Sequence, residues 1–145
     1  DEFDDALLVR RTGELCKANV KTMPYPGFPT DMQAPFFALA TVAEGTCVVV
    51  ENVFENRFKH GPELMRMGAV YTQKDRTAVI RGVENLTGTQ VTARDLRGGA
   101  ALTIAGLKAR GVTTVYGAEL IDRGYEALDA QLRALGAHIT REESL

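Results

Sequence analysis

Residues Phe28–Phe58 read FPTDMQAPFFALATVAEGTCVVVENVFENRF. The stretch opens on Asp31, a natural helix cap, and runs through an apolar segment to a stop at Gly45. A β-branched strand follows, then an acidic-aromatic turn that ends in Arg57 and Phe58. Laid on itself with a shift of 66 residues, the chain matches Asp31 with Arg97, Gly45 with Gly111, Val49 with Val115 and Arg57 with Arg123. Past Arg57 the shift becomes 68, pairing Leu64, Gly68 and Ala69 with Leu132, Gly136 and Ala137. One supersecondary unit is therefore used twice, over about residues 15–82 and 83–145.

Working outward, the N-terminal side predicts a weak strand at Leu7–Arg10, a turn at Thr12–Gly13 and a strand at Leu15–Lys21. The loop Met23–Pro29 holds three prolines in seven residues, which precludes regular structure and stiffens the approach to Asp31. A helix is predicted from Asp31 to about Glu44, with Pro35 tolerated in its first turn. It is apolar on nearly all sides, as is its counterpart before Gly111, so both are expected to be buried. Strands are expected at Thr46–Glu51 and Val112–Tyr116, each leading into a second helix, Pro62–Met67 and Tyr125–Leu135. Further strands are read at 69–73, 77–81, 90–94 and 137–141, with Lys74–Arg76 and Asn85–Thr89 as turns. The unit is close to β-α-β-α-β-β, an α/β fold wrapped around buried helices, with no linker between the copies.

At 145 residues and 45% hydrophobic, the chain is long enough to build a core. A net charge of −2 with no basic stripe disfavours nucleic acid as the main partner. No apolar run approaches the roughly 20 residues that span a membrane. The chain opens Asp1-Glu2-Phe3 without an initiator methionine, which reads as part of something longer. Cys16 and Cys47 are too few for a disulfide framework, and nothing near either marks a lowered thiol pKa. His60 and His138 have no metal-ligand spacing, so no metal site is expected, and no cofactor is expected either.

Four polar positions remain. Asp31 is ordinarily an N-cap, worth about 1 kcal/mol. Arg97 at a helix start opposes the helix dipole and needs a compensating anion. Gly98 and Gly99 beside it predict bare N–H groups and hence a phosphate or carboxylate site. Arg57 and Arg123, in ENRF and IDRGY, have ordinary salt-bridge partners in Glu55 and Asp122. The repeat raises the alternative that three arginines and one aspartate face a common cleft. Such a set suits an anionic substrate together with a hydroxyl that must lose a proton.

The runs YPGFPTDMQ (Tyr25 to Gln33), ATVAEG (Ala40 to Gly45), FENRF (Phe54 to Phe58), PELMRMGA (Pro62 to Ala69) and IDRGYE (Ile121 to Glu126) resemble the UDP-N-acetylglucosamine 1-carboxyvinyltransferase family. The resemblance covers essentially the whole chain and corresponds to about the last third of such an enzyme. It implies the enolpyruvyl transferase fold, an inside-out α/β barrel, with this chain supplying two of the three units of one domain. It implies phosphoenolpyruvate and UDP-N-acetylglucosamine as substrates, and the missing N-terminal portion of the same enzyme as partner. The resemblance implies a setting in the bacterial cytoplasm and the first committed step of peptidoglycan synthesis. By the same resemblance Asp31 contacts the sugar 3-hydroxyl and takes its proton, and Val53 contacts the UDP-sugar. Arg57, Arg97 and Arg123 hold phosphoenolpyruvate. The family's catalytic cysteine and essential lysine lie outside this chain, which alone should be inactive. Two alternatives are a 5-enolpyruvylshikimate-3-phosphate synthase-like transferase and a non-catalytic binding or scaffold module.

Overall fold

The structure, a computed structural model, describes residues 4–6 and 8–142. The first unit is assembled as read. Strand β1 (Val20–Lys21), helix α1 (Gln33–Ala40), strand β2 (Thr46–Val50), helix α2 (Gly61–Arg66) and strands β3 (Val70–Lys74) and β4 (Thr77–Arg81) follow in β-α-β-α-β-β order. They form one sheet of order β1-β2-β4-β3. β1 lies parallel to β2, with Val20 opposite Val49, because α1 carries the chain back over the sheet. β3 and β4 form a hairpin around Asp75, and β4 pairs antiparallel with β2, Val48 opposite Val79.

The second unit repeats only the front of this plan. Strand β5 (Gln90–Thr92), helix α3 (Leu96–Lys108) and strand β6 (Thr114–Tyr116) are followed by helices α4 (Ala118–Ile121) and α5 (Leu128–Ala134). β5 and β6 pair in parallel, Val91 opposite Val115, as β1 and β2 do. No strand matching β3 or β4 occurs in this unit among the described residues: residues 137–142 carry none, which corrects the reading of 137–141. The matched glycines nonetheless share a backbone conformation. Gly45 and Gly111 turn with φ +97° and +89°, and Gly68 and Gly136 with φ +94° and +96°.

Other boundaries differ for local reasons. Leu7 lies outside the described residues and 8–10 form no strand. Of 15–21 only Val20–Lys21 enters the sheet, while Cys16 makes an isolated bridge to Glu44. The helix expected over 31–44 is a 3₁₀ turn, Thr30–Met32, continued by a short α1. The helix expected over 125–135 begins only at Leu128, after Ala127 takes φ +45°, and α4 ahead of it went unread.

The core lies between the two repeats. α1 and α3 pack on each other with alanines (Ala34, Ala38, Ala100, Ala101, Ala105) buried, and short side chains let helices approach closely. Phe37, fully buried, stands edge-on to His60 and Tyr71, with centroids 5.0 and 5.2 Å away. Leu64, Met67, Ile80, Leu86 and Leu102 complete it. Burial on all sides does not hold: Leu39 on α1 and Leu107 on α3 are exposed.

Candidate active site

The matched residues Asp31 and Arg97 meet. The Arg97 Nε lies 2.5 Å from Asp31 Oδ1, and a terminal nitrogen of Arg57 lies 4.0 Å from the same oxygen. Asp31 is therefore not a helix cap. It sits inside the 3₁₀ turn, no side chain caps that turn or α1, and its carboxylate reaches across to the start of α3. This also supplies the anion that Arg97 needed. The hydrogen bond to Asp31 is the main reason that the Arg97 guanidinium is held above its ordinary pKa, with partial burial opposing. The Asp31 side chain remains 58% exposed, so the pair stands open to an incoming molecule.

Arg57 arrives by a different route. Its guanidinium lies 4.5 Å over the Phe54 ring, a cation–π contact that fixes the side chain at only 22% exposure. Its expected surface partner, Glu55, is taken instead by Arg76 at 3.0 Å. Likewise Asp122 does not pair with Arg123. It binds both terminal nitrogens of Arg141, at 2.9 and 2.5 Å, and that contact holds its carboxyl below the usual range. Arg123 is exposed, on a turn that packs against the start of α3: the space above Gly124 is filled by Leu96, and that above Gly99 by Ile121. Asp31, Arg57 and Arg97 are thus brought together, whereas no contact joins Arg123 to them.

The glycines beside Arg97 do something other than expected. The Gly98 N–H donates to the Asp95 carboxylate at 2.7 Å and the Gly99 N–H to the Asp95 carbonyl at 2.9 Å, so Asp95 caps α3. Neither N–H is bare, and both residues are buried. Their lack of a side chain serves packing: a Cβ on Gly99 would lie 2.6 Å from Ile121 and 2.9 Å from Ala93. The anion-binding capacity of this corner therefore rests on the guanidinium groups.

Val53 is partly exposed on the turn after β2. Its N–H, and that of Phe54, donate to one carboxylate oxygen of Glu51 at 2.9 and 3.1 Å. Glu51 is 1% exposed and also accepts from Thr22 at 2.8 Å and Thr30 at 3.0 Å. Sequence reasoning missed this residue, since a glutamate ending a strand reads as a surface charge. Asp95 was missed as well, although an Asp-x-x-Gly at a helix start was there to be read.

The arrangement offers two cations and a carboxylate on a reachable corner. It suits binding of an anion and acceptance of a proton from a hydroxyl held beside it.

The profile of the EPSP synthase (3-phosphoshikimate 1-carboxyvinyltransferase) family matches residues 2–132. The chain is 53% identical over 141 residues to UDP-N-acetylglucosamine 1-carboxyvinyltransferase 3 of Caldanaerobacter subterraneus subsp. tengcongensis, covering 97% of this chain and 34% of that protein. It is 54% identical over 140 residues to UDP-N-acetylglucosamine 1-carboxyvinyltransferase of Desulfofundulus thermocisternus, covering 97% of this chain and 58% of that one. Its backbone matches the enolpyruvyl transferase NikO from Streptomyces tendae with a TM-score of 0.80 and 32% identity, over 90% of this chain and 30% of that chain. An EPSP synthase from Acinetobacter baumannii, 18% identical with a TM-score of 0.65, shares the fold. The chain spans between about a third and three-fifths of the length of these curated relatives. With the profile covering most of the sequence and the backbone following NikO over the same span, this chain belongs to the EPSP synthase family of carboxyvinyl (enolpyruvyl) transferases.

Proposed function

We propose that this chain furnishes two of the three units of one domain in a longer cytoplasmic enzyme. That enzyme transfers the enolpyruvyl group of phosphoenolpyruvate to the 3-hydroxyl of UDP-N-acetylglucosamine, the committing step of peptidoglycan synthesis. The observation that carries this reading is the Asp31 carboxylate held by Arg97 and within 4.0 Å of Arg57. The half-identity relatives named for UDP-N-acetylglucosamine favour that acceptor over a shikimate phosphate.

In the reaction the sugar oxygen adds to the central carbon of phosphoenolpyruvate while its methylene carbon takes a proton; elimination of phosphate with loss of a proton from the resulting methyl group then leaves the enolpyruvyl ether. Arg57 and Arg97 hold the anionic groups of phosphoenolpyruvate, and Arg123 joins them from the neighbouring turn. Asp31 accepts the hydroxyl proton as the new C–O bond forms. Asp31 lies on the Arg97 guanidinium, which a substrate anion would also bind. An arriving phosphate or carboxylate takes over the guanidinium N–H groups and leaves the Asp31 oxygen free to accept. Val53, at the exposed rim, contacts the UDP-sugar.

The test is Asp31→Ala in the full-length enzyme carrying this chain, followed by phosphate release. Turnover should fall by about a hundredfold or more, the usual worth of a general base, while UDP-N-acetylglucosamine binding is retained. Near-normal turnover overturns the role of Asp31. Turnover with shikimate 3-phosphate in place of the UDP-sugar overturns the substrate assignment.

A further inference from the structure

We propose that Glu51 is a positioning residue for this site, setting the separation between the segment that carries Asp31 and the segment that carries Arg57. The inference rests on the function proposed above. Its basis is a buried carboxylate with hydrogen-bond donors from three chain segments. On Oε1 it accepts from the Thr22 hydroxyl at 2.8 Å, the Val53 N–H at 2.9 Å and the Phe54 N–H at 3.1 Å; on Oε2 it accepts from the Thr30 hydroxyl at 3.0 Å. Thr22 extends the set by accepting the Asn52 N–H at 2.8 Å.

Each of these partners leads to the site. Thr30 is the residue immediately before Asp31. Phe54 carries the ring on which the Arg57 guanidinium lies. Val53 is the rim residue assigned to the UDP-sugar. Thr22, at the end of β1, anchors the carboxylate to the sheet through its N–H bond to the Val50 carbonyl at 2.9 Å. A carboxylate at 1% exposure is costly to keep unless its oxygens are filled, and here hydroxyl and amide donors fill them. Glu51 forms no ion pair among the described residues. It is therefore not a substrate-binding charge neutralised in waiting. It works as a rigid bracket between two loops whose side chains approach each other at 4.0 Å. Small displacements of such groups are costly in rate, because a misplacement near 1 Å can cost about a hundredfold.

The experiment uses the full-length enzyme and the variants Thr30→Val, Glu51→Ala and Glu51→Gln. Thr30→Val keeps the side-chain shape and removes only the link to the Asp31 segment. It should lower kcat roughly tenfold, change the KM for UDP-N-acetylglucosamine little, and leave the melting temperature within a few degrees. Glu51→Ala should lower kcat further. Glu51→Gln recovers part of that loss, since its amide oxygen can accept from Val53 and Phe54 while its NH2 donates to Thr30. In an Asp31→Ala background the Thr30→Val change should cost almost nothing more, because it acts through Asp31. Full additivity of the two changes, or a Thr30→Val enzyme with unchanged kcat, overturns the proposal. Should the wild type show no enolpyruvyl transfer, the functional reading fails, and positioning is read from the Arg97 Nε–H NMR signal. Protection of that proton by Asp31 should be lost in Thr30→Val and Glu51→Ala. Its persistence in both overturns the bracket independently of activity.

Discussion

His60 is the residue whose surroundings most alter its chemistry. It is 3% exposed, stands perpendicular to Phe37, and its Nε2 has no hydrogen-bond partner among the described residues. Burial pushes its pKa down to about 4, with Asp95 opposing weakly. The unfolded chain takes a proton on this ring below about pH 6.5 and the folded chain does not until about pH 4, so its contribution to stability is complete above pH 6.5 and lost as pH falls toward 4. Urea unfolding should show a loss of about 2 kcal/mol between pH 7 and pH 5, and His60→Gln should flatten that slope. An equal pH dependence in both would show that the ring is solvated. Legibility at this scale was uneven. Asp31, Arg57 and Arg97 could be read because the repeat marked them as matched, and each does belong to the cluster. That Arg97 pairs with Asp31 itself could not be read, since the 66-residue separation between them says nothing of the fold that closes the gap. Glu51 was invisible for the same reason: its partners Thr22 and Thr30 lie 29 and 21 residues away.

Among the elements, the start of α3 is the most demanding. Gly99 faces Ile121 on α4 and Ala93 just beyond β5 at distances no Cβ tolerates, and the Ala93 contact yields only if backbone moves. Gly99→Ala should cost about 1–3 kcal/mol by overpacking, seen as a lowered melting temperature. Gly13→Ala, with nothing within 4 Å and no positive φ, is the matched control and should be neutral or slightly stabilising. A Gly99→Ala protein as stable as wild type would mean that α4 docks loosely. The sequence showed helices and strands wherever apolar spacing was strong, and it placed α2, β2 and the β3–β4 hairpin within a residue or two. It failed where a backbone turn overrode that spacing. Ala127, in the left-handed region, delays α5, and the 3₁₀ turn at Thr30–Met32 shortens α1. Reading Gly98–Gly99 as an anion cradle failed because Asp95, three residues before Gly98, had already claimed the N–H groups.

At the scale of the whole molecule the two units differ in strand pairing among the described residues. β2 is paired on both sides, whereas β6 has β5 on one side and no strand on the other among the described residues. Beside it lies a groove of about 760 Å³, lined by Leu107, Val112, Val115, Leu132, Leu135 and Ile139 among others. The candidate site residues Asp31, Arg57, Arg97 and Arg123 take no part in it. Residues 1–145 produced alone should therefore associate or bind an apolar dye, an outcome that sedimentation velocity and dye fluorescence would register. A compact monomer that excludes the dye would show that the edge protects itself. The overall plan was legible because a repeat doubles every signal, while the match of Ala137 to Ala69 suggested a strand that residues 137–142 do not form. One further consequence follows from the pairing of Asp31 with Arg97. Positions matched by the internal repeat here touch each other, so two identical copies would face like against like across the seam. Two aspartates would repel at that distance, and so would two arginines. An acid facing a base removes that repulsion, and the same asymmetry leaves one half with a carboxylate and the other with a guanidinium at their shared corner.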